Sequence, residues 1–193
     1  KFTDVTKQVA PELIEIGLVC DALFTDYDND GQPDLLLAGE WMPLQIFKNK
    51  NGRFEKVKNT GLDNYKGWWN SVTAADFDGD GDMDYVAGNL GLNSFFRGNE
   101  QYPLRIRAKD FDNNGSFDAV PSLYIKKNLE LPAEIKEFPA NGRDDLIKQI
   151  LSTKARFQNY KQFAAATMDS LLTPEMMKDA IKLEANYLHS AII

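Results

Sequence analysis

The chain has 193 residues, of which 43% are hydrophobic and 26% are charged, a composition typical of one or two globular domains. A single cysteine excludes a disulfide framework within the chain, and no apolar run reaches the ~18 residues that a membrane-spanning helix needs. The formal net charge is −7, and its distribution along the chain says more than its sum.

Negative charge is concentrated in three nine-residue segments, 26–34, 76–84 and 110–118, which we call the first, second and third loops. They carry 4, 5 and 3 acidic residues and no Lys or Arg, whereas the other 166 residues carry 22 basic and 17 acidic residues. Carboxylates packed so densely repel one another unless a cation lies among them. This acidity also argues against nucleic acid as a partner.

The stretch 19–58 predicts four short strands. An apolar segment precedes the first loop, and the run Leu35–Ala38 after it is short, apolar and bounded by turn residues, as in a buried strand. Residues 44–49 alternate between apolar and polar, and Asn51-Gly52 is the strongest short hairpin signal before the last strand. Four strands at this spacing are typical of one β-propeller blade.

The same order of strand, acidic loop and strand recurs fifty residues later and again 34 residues after that. In the second copy, Tyr85-Val86-Ala87 takes the place of the apolar run that follows the first loop. Repetition of one small unit is the sequence signature of repeat architectures. We therefore assign residues 1–120 to about two propeller-type blades with three Asp-rich loops, within a mainly β fold.

Residues 121–193 differ in character. The stretch 121–142 predicts an irregular segment because it is rich in turn-forming residues. Apolar residues on one face predict helices over 144–164, and an N-cap followed by proline predicts a short helix over 173–181. The tail, 183–193, is predicted to return to strand. The turn-forming residues of the irregular segment are Pro121, Pro132, Pro139 and Gly142.

Each loop has the side chains of a calcium site. A hard cation takes six to eight oxygen ligands, and alternate side chains of a curled loop can point inward together. Glycine at position 6 tolerates the positive φ of a sharp bend, position 7 would offer its backbone carbonyl, and Asp at position 9 closes the cage. The predicted ligands are Asp26, Asp28, Asp30, Gln32 and Asp34 in the first loop, Asp76, Asp78, Asp80, Asp82 and Asp84 in the second, and Asp110, Asp112, Asn114, Ser116 and Asp118 in the third.

Three other interpretations compete with up to three calcium ions. An EF-hand needs a bidentate acid at position 12, where these loops have Leu37, Ala87 and Pro121. Magnesium prefers one or two carboxylates and several waters. Asp-Gly segments also form plain solvated turns, but three loops in register favour a bound cation.

The pattern Asp-x-Asp-x-Asp-Gly-x-x-Asp between strands resembles the FG-GAP/VCBS repeats of integrin α-subunit propellers and many bacterial surface proteins. The segment 51–54 is similar to the turn before the last strand of such blades. Segments 67–71, 89–93 and 142–149 resemble bacterial VCBS proteins of the ASPIC/UnbV (cartilage-acidic-protein-like) type.

The resemblance covers residues 1–120. It implies a seven- or eight-bladed propeller, an extracytoplasmic location (secreted, cell surface or periplasmic) and a binding or scaffold role without a known reaction. Because about two blades cannot close a ring, it also implies that the remaining blades belong to a larger parent protein.

Two functional hypotheses remain open at this point. Tryptophans at 41, 68 and 69 near strand ends could stack on a carbohydrate or anchor a protein partner, in an adhesion, glycan-binding or assembly role; packing between blades is the alternative. A metal-dependent hydrolase of phosphoesters or glycosides could instead use one Asp-rich loop, because Asp26-x-Asp28 follows an apolar strand. Such a site would occur once, whereas the motif occurs three times.

Overall fold

A computed structural model of the protein describes residues 1–126 and 134–193. The chain divides into two compact units, of which the first comprises Lys1–Ser94 and Ala185–Ile193 and the second Phe95–Glu184. The division therefore falls before the third loop, whereas the sequence placed its boundary at residue 120. The third loop lies between two strands of the second unit's own sheet, a pairing that the repeat pattern alone does not specify.

The first unit opens with a short helix, a 3₁₀ turn and a four-stranded antiparallel meander. Asn51 and Gly52 turn the last hairpin with φ of 55° and 88°, the two positive φ values of a type I′ turn, so the predicted four-stranded unit is confirmed. The elements are α1 (Thr6–Val9), the 3₁₀ turn Pro11–Leu13, β1 (Leu18–Thr25), β2 (Asp34–Met42), β3 (Gln45–Lys50) and β4 (Arg53–Lys56).

A second, incomplete blade begins with β5 (Gly67–Ala75) and β6 (Asp84–Asn89). Its third strand is β11 (Ala191–Ile192), which pairs with β6 so that Ile192 lies opposite Val86. In the first blade β3 pairs with β2 in the equivalent register. The second unit is therefore inserted in the chain between the second and third strands of this blade.

The strand order of the first unit's sheet is β11-β6-β5-β2-β3-β4, with β1 also paired to β2. Strand β2 is central and buried on both faces. Leu36 and Ala38 pack against Trp69 on one side, and Leu35 and Phe47 meet on the other. A strand with two buried faces explains why its sequence is a continuous apolar run instead of an alternating one.

The second unit has a four-stranded antiparallel sheet of order β10-β7-β8-β9. Much of the segment predicted as irregular is strand. Pro121 is tolerated inside β8 because it takes part in the sheet through its carbonyl, which accepts from the Ala140 N–H at 2.8 Å. Pro139 is the last residue of β9. Pro132 lies outside the described residues. The strands are β7 (Leu104–Lys109), β8 (Asp118–Lys126), β9 (Ile135–Pro139) and β10 (Ile181–Ala185).

Four short helices cover this sheet. Leu146 and Ile150 of the predicted apolar face are buried in a core with Phe111 and Val120, whereas Leu151 is 66% exposed. The helix predicted over 173–181 is absent, since residues 174–179 form turns. The helices are α2 (Arg143–Gln149), α3 (Ser152–Arg156), α4 (Tyr160–Ala164) and α5 (Met168–Leu171). Of the tail predicted as strand, residues 183–185 lie in β10 and 191–192 in β11, whereas 186–190 are not strand.

Candidate metal-binding loops

Each acidic loop joins two antiparallel neighbours: β1 to β2, β5 to β6, and β7 to β8. In all three, the aspartate at position 9 accepts a hydrogen bond through Oδ2 from the backbone N–H of position 2. The pairs are Asp34 with Tyr27 at 3.3 Å, Asp84 with Phe77 at 2.8 Å and Asp118 with Phe111 at 2.9 Å. The closing carboxylate thus fastens the start of each loop to the start of the outgoing strand.

The aspartate at position 1 holds the middle of its loop. Asp26 accepts from the backbone N–H groups of Asp30 at 3.0 Å and Gly31 at 2.8 Å. Asp110 repeats both bonds, with Asn114 at 3.0 Å and Gly115 at 2.8 Å. In the second loop, Asp76 accepts instead from Gly79 at 2.7 Å and Gly81 at 3.1 Å, a slightly different curl of the same scaffold.

Two positions of every loop have positive φ. Position 6 is always glycine, with φ of 81°, 96° and 87° in Gly31, Gly81 and Gly115, as the sequence predicted. Position 4 was missed. It is Asn29, Gly79 and Asn113, with φ of 57°, 79° and 58°. Asparagine and glycine are the residues that enter the left-handed region most readily, and only these two types occupy position 4, so the sequence could have predicted its positive φ.

This curl brings three carboxylates together in each loop. One oxygen each from positions 1, 3 and 9 lies within 4.8 Å of the other two. The predicted ligand at position 5 has a backbone contact as well: it accepts from the position-7 N–H at 2.9, 2.9 and 2.7 Å in the three loops. The converging groups are Asp26, Asp28 and Asp34; Asp76, Asp78 and Asp84; and Asp110, Asp112 and Asp118.

The closing aspartates of the first and third loops are buried, and their surroundings disfavour a negative charge. Asp34 and Asp118 are 0% and 2% exposed, and burial raises the pKa of each carboxyl above its ordinary value, with the backbone N–H bonds opposing and the neighbouring aspartates adding to the rise. Raised acid pKa values mean that the surroundings disfavour the charged form. A cation among these groups would reverse that penalty.

The third loop supplies the clearest test of whether a metal fits. Asp112 accepts from the Leu151 N–H at 3.1 Å through Oδ2, but its Oδ1 is buried and has no hydrogen-bond partner among the described residues. A buried carboxylate oxygen without a partner is costly. One carboxylate oxygen of Asp112 lies within 4.8 Å of an oxygen of Asp110 and of Asp118, in an all-oxygen donor set of the kind that calcium prefers. The residues fit a hard divalent cation.

The first loop differs because a lysine reaches it. Lys48 on β3 contacts the Asp28 carboxylate and lies 3.1 Å from Asp30, and these hydrogen bonds raise the pKa of Lys48 above its ordinary range. Among the ion pairs of the described residues, none joins Lys or Arg to the second or third loop. Sequence reasoning missed Lys48, because its place follows from the β2–β3 register.

The first and second loops are also linked to each other. The Asn29 side-chain amide donates to Asp82 Oδ1 at 2.6 Å, although the two residues are 53 positions apart. The side chain of Asp82 therefore has a partner outside its own loop, while its backbone N–H is the group bound by Asp80.

The tryptophans near the strand ends pack inside the first unit. Trp41 is 5% and Trp69 2% exposed. The Trp41 ring lies 5.1 Å from the half-buried Trp68 ring, centroid to centroid, and Trp69 stacks on Tyr187 at 5.8 Å. For Trp41 and Trp69 the structure favours core packing over a ligand-facing role.

Comparison with known families bears on the first two loops. Residues 26–87 match the family model of an FG-GAP-like repeat. The match begins at the first aspartate of the first loop and ends in β6, and it supports the FG-GAP resemblance of the first unit. No curated protein and no solved structure matches the chain. In the part of the chain that the structure describes, no helix has the length and apolar character needed to cross a bilayer.

Proposed function

We propose that this chain is a calcium-binding, non-catalytic segment of a β-propeller in an extracytoplasmic protein, of the ASPIC/UnbV type. The observation that carries the proposal is the convergence of three carboxylates in each of three loops, on a scaffold of backbone hydrogen bonds that recurs from loop to loop. A solvated turn needs no such repeated convergence.

In this proposal the side chains at positions 1, 3, 5 and 9 and the carbonyl at position 7 hold the ion. Bound calcium would supply positive charge that offsets the repulsion among these carboxylates, so binding free energy becomes folding free energy. The role is therefore structural: the loops become rigid corners between paired strands.

The biological role we propose is adhesion, glycan binding or assembly, with a protein or carbohydrate as ligand and with further blades in a parent protein. The support comes from the FG-GAP-like match, since the resemblance implies extracellular binding proteins. Three copies of one cage also fit a structural metal better than a hydrolase, which would use a single specialised site.

Calorimetric titration with calcium tests the proposal. We expect binding of up to three ions and a melting temperature that falls by several degrees in EGTA. A triple variant at position 3 (Asp28→Asn, Asp78→Asn and Asp112→Asn) should lose most of this binding. Its matched control removes three exposed carboxylates outside the loops (Asp63→Asn, Glu100→Gln and Glu175→Gln) and should behave as wild type.

Two results would count against the proposal. One is a melting curve that does not change between calcium and EGTA, with no heat of binding. The other is turnover of a phosphoester or glycoside in a substrate panel that is lost with a single loop, which would favour the hydrolase.

A further inference from the structure

We infer that Lys48 is a built-in competitor for calcium in the first loop, so that this loop binds calcium more weakly than the third loop and keeps its conformation at low calcium. The inference rests on the proposed function and concerns the regulation of the same sites. Its evidence is the placement of one ammonium group.

The Lys48 ammonium bonds the carboxylates that the first loop would give to a metal. It contacts Asp28, a member of the converging group, and lies 3.1 Å from Asp30 at position 5. A carboxylate oxygen engaged by an ammonium is not free to bind a cation of higher charge. Lys48 holds the Oδ2 atoms of Asp28 and Asp30, so calcium must compete with the ammonium for these carboxylates.

The sheet fixes this lysine where it can reach the loop. Phe47 is opposite Leu35 in the β2–β3 register, which puts Lys48 beside the closing aspartate. The next residue, Asn49, donates its backbone N–H to Asp34 Oδ1 at 2.6 Å, so the strand is tied to the loop itself. The position of the Lys48 ammonium is therefore set by a hydrogen-bonded strand.

The third loop has the same spacing, but among the described residues no lysine or arginine forms an ion pair with its carboxylates. Its nearest lysine in sequence, Lys109, donates to the backbone carbonyl of Lys178 at 2.8 Å and not to a loop carboxylate. Meanwhile Asp112 Oδ1 is buried without a partner among the described residues. One loop thus has an internal cation and the other has an uncompensated oxygen, so their dependence on calcium should differ.

The expected size follows from the strength of exposed ion pairs. Such a pair changes an equilibrium by about 2- to 5-fold, and removing a positive charge beside a divalent site adds to that. Removing the ammonium should therefore tighten calcium binding in the first loop by about 3- to 10-fold. In chelator, the same change should loosen the loop, because the repulsion among its carboxylates is no longer offset.

The test compares Lys48→Met with Lys50→Met in the full chain. Lys50 lies on the same strand, is 56% exposed at its side chain and pairs with Glu55 at 2.7 Å, so its replacement removes the same charge without touching a loop. Hydrogen exchange, read by mass spectrometry on peptides covering 26–34 and 110–118 during a calcium titration, reports each loop separately.

For Lys48→Met we expect a 3- to 10-fold lower calcium midpoint for 26–34, faster exchange there in EGTA, and an unchanged midpoint for 110–118. Lys50→Met should match wild type. Equal exchange in excess calcium checks that the variant is folded. Equal midpoints for the two variants, with the third loop still responding to calcium, would overturn the role of Lys48 alone. If no loop of the wild type responds to calcium, the calcium proposal itself fails and this inference with it.

Discussion

The first and third loops share one motif and differ in what surrounds it. Both have the same position-1 hydrogen bonds, the same positive φ at positions 4 and 6 and the same closing contact. In the first loop, a lysine from the neighbouring strand offsets the negative charge. In the third, the backbone N–H of Leu151 meets one oxygen of Asp112 and the other stays unpaired among the described residues. The motif determines the backbone cage, and the fold determines how its charge is compensated.

Removing the closing aspartates gives the largest expected effect. Asp34 accepts from two backbone N–H groups, those of Tyr27 and Asn49, whereas Asp118 accepts from one, that of Phe111. A backbone donor that loses its acceptor in a buried or partly buried place costs about 1–3 kcal/mol. In chelator, Asp34→Ala should lower the free energy of unfolding by about 3 kcal/mol and Asp118→Ala by about 2 kcal/mol.

Native-state hydrogen exchange of β2 and β8 measures these losses in each unit separately. The exposed Asp63→Ala is the control and should change neither. An equal or larger loss from Asp118→Ala would show that hydrogen bonding is not what distinguishes the two closing carboxylates.

Calcium removal comes next in size. Saturation of one site at about 100 times its dissociation constant contributes ~2.7 kcal/mol. Because Lys48 already compensates the first loop, EGTA should raise exchange at Asn114 and Gly115 by a larger factor than at Asp30 and Gly31. Amide exchange in calcium and in EGTA measures the two loops in one experiment. An equal increase in exchange in both loops would contradict a difference in how their charge is compensated.

The second loop gives a smaller, internal contrast. Asp80 is a predicted side-chain ligand, whereas the carboxylate of Asp82 is already bonded by Asn29 and only its carbonyl is a predicted ligand. Asp80→Ala should weaken calcium binding by about tenfold, and Asp82→Ala by much less. Calorimetry on the two variants, which lose the same charge, decides between them; equal losses would contradict the ligand assignment.

The smallest effect is expected at position 4. Replacing Asn113 by alanine puts a residue that enters the left-handed region less readily than asparagine at a positive φ, at a cost of about 1 kcal/mol. Asn29→Ala should cost slightly more, since it also removes the bond to Asp82. The matching glycine variants should restore the φ at both sites. Thermal unfolding would detect the difference, and alanine variants as stable as the glycine ones would refute the strain argument.

Local features were readable from the residues alone. The four strands of the first blade, the Asn51-Gly52 turn and the three acidic loops follow from periodicity and turn chemistry, which depend on neighbours in sequence. The strands within 121–142 were missed because the prolines there predicted an irregular segment. Pro121 nevertheless fits inside β8, since only its carbonyl takes part in a hydrogen bond.

What the tertiary structure decided were the long-range pairings. A sequence shows that Asp28 and Lys48 exist, but only the register of β3 on β2 brings the ammonium to the carboxylate. In the same way, only the pairing of β11 with β6 reveals that residues 95–184 are inserted into a blade. Loop curvature is set by a few adjacent dihedral angles and is therefore determined by the residues of the loop itself. Charge compensation depends on which distant strand lies alongside, and packing of the whole sheet settles that.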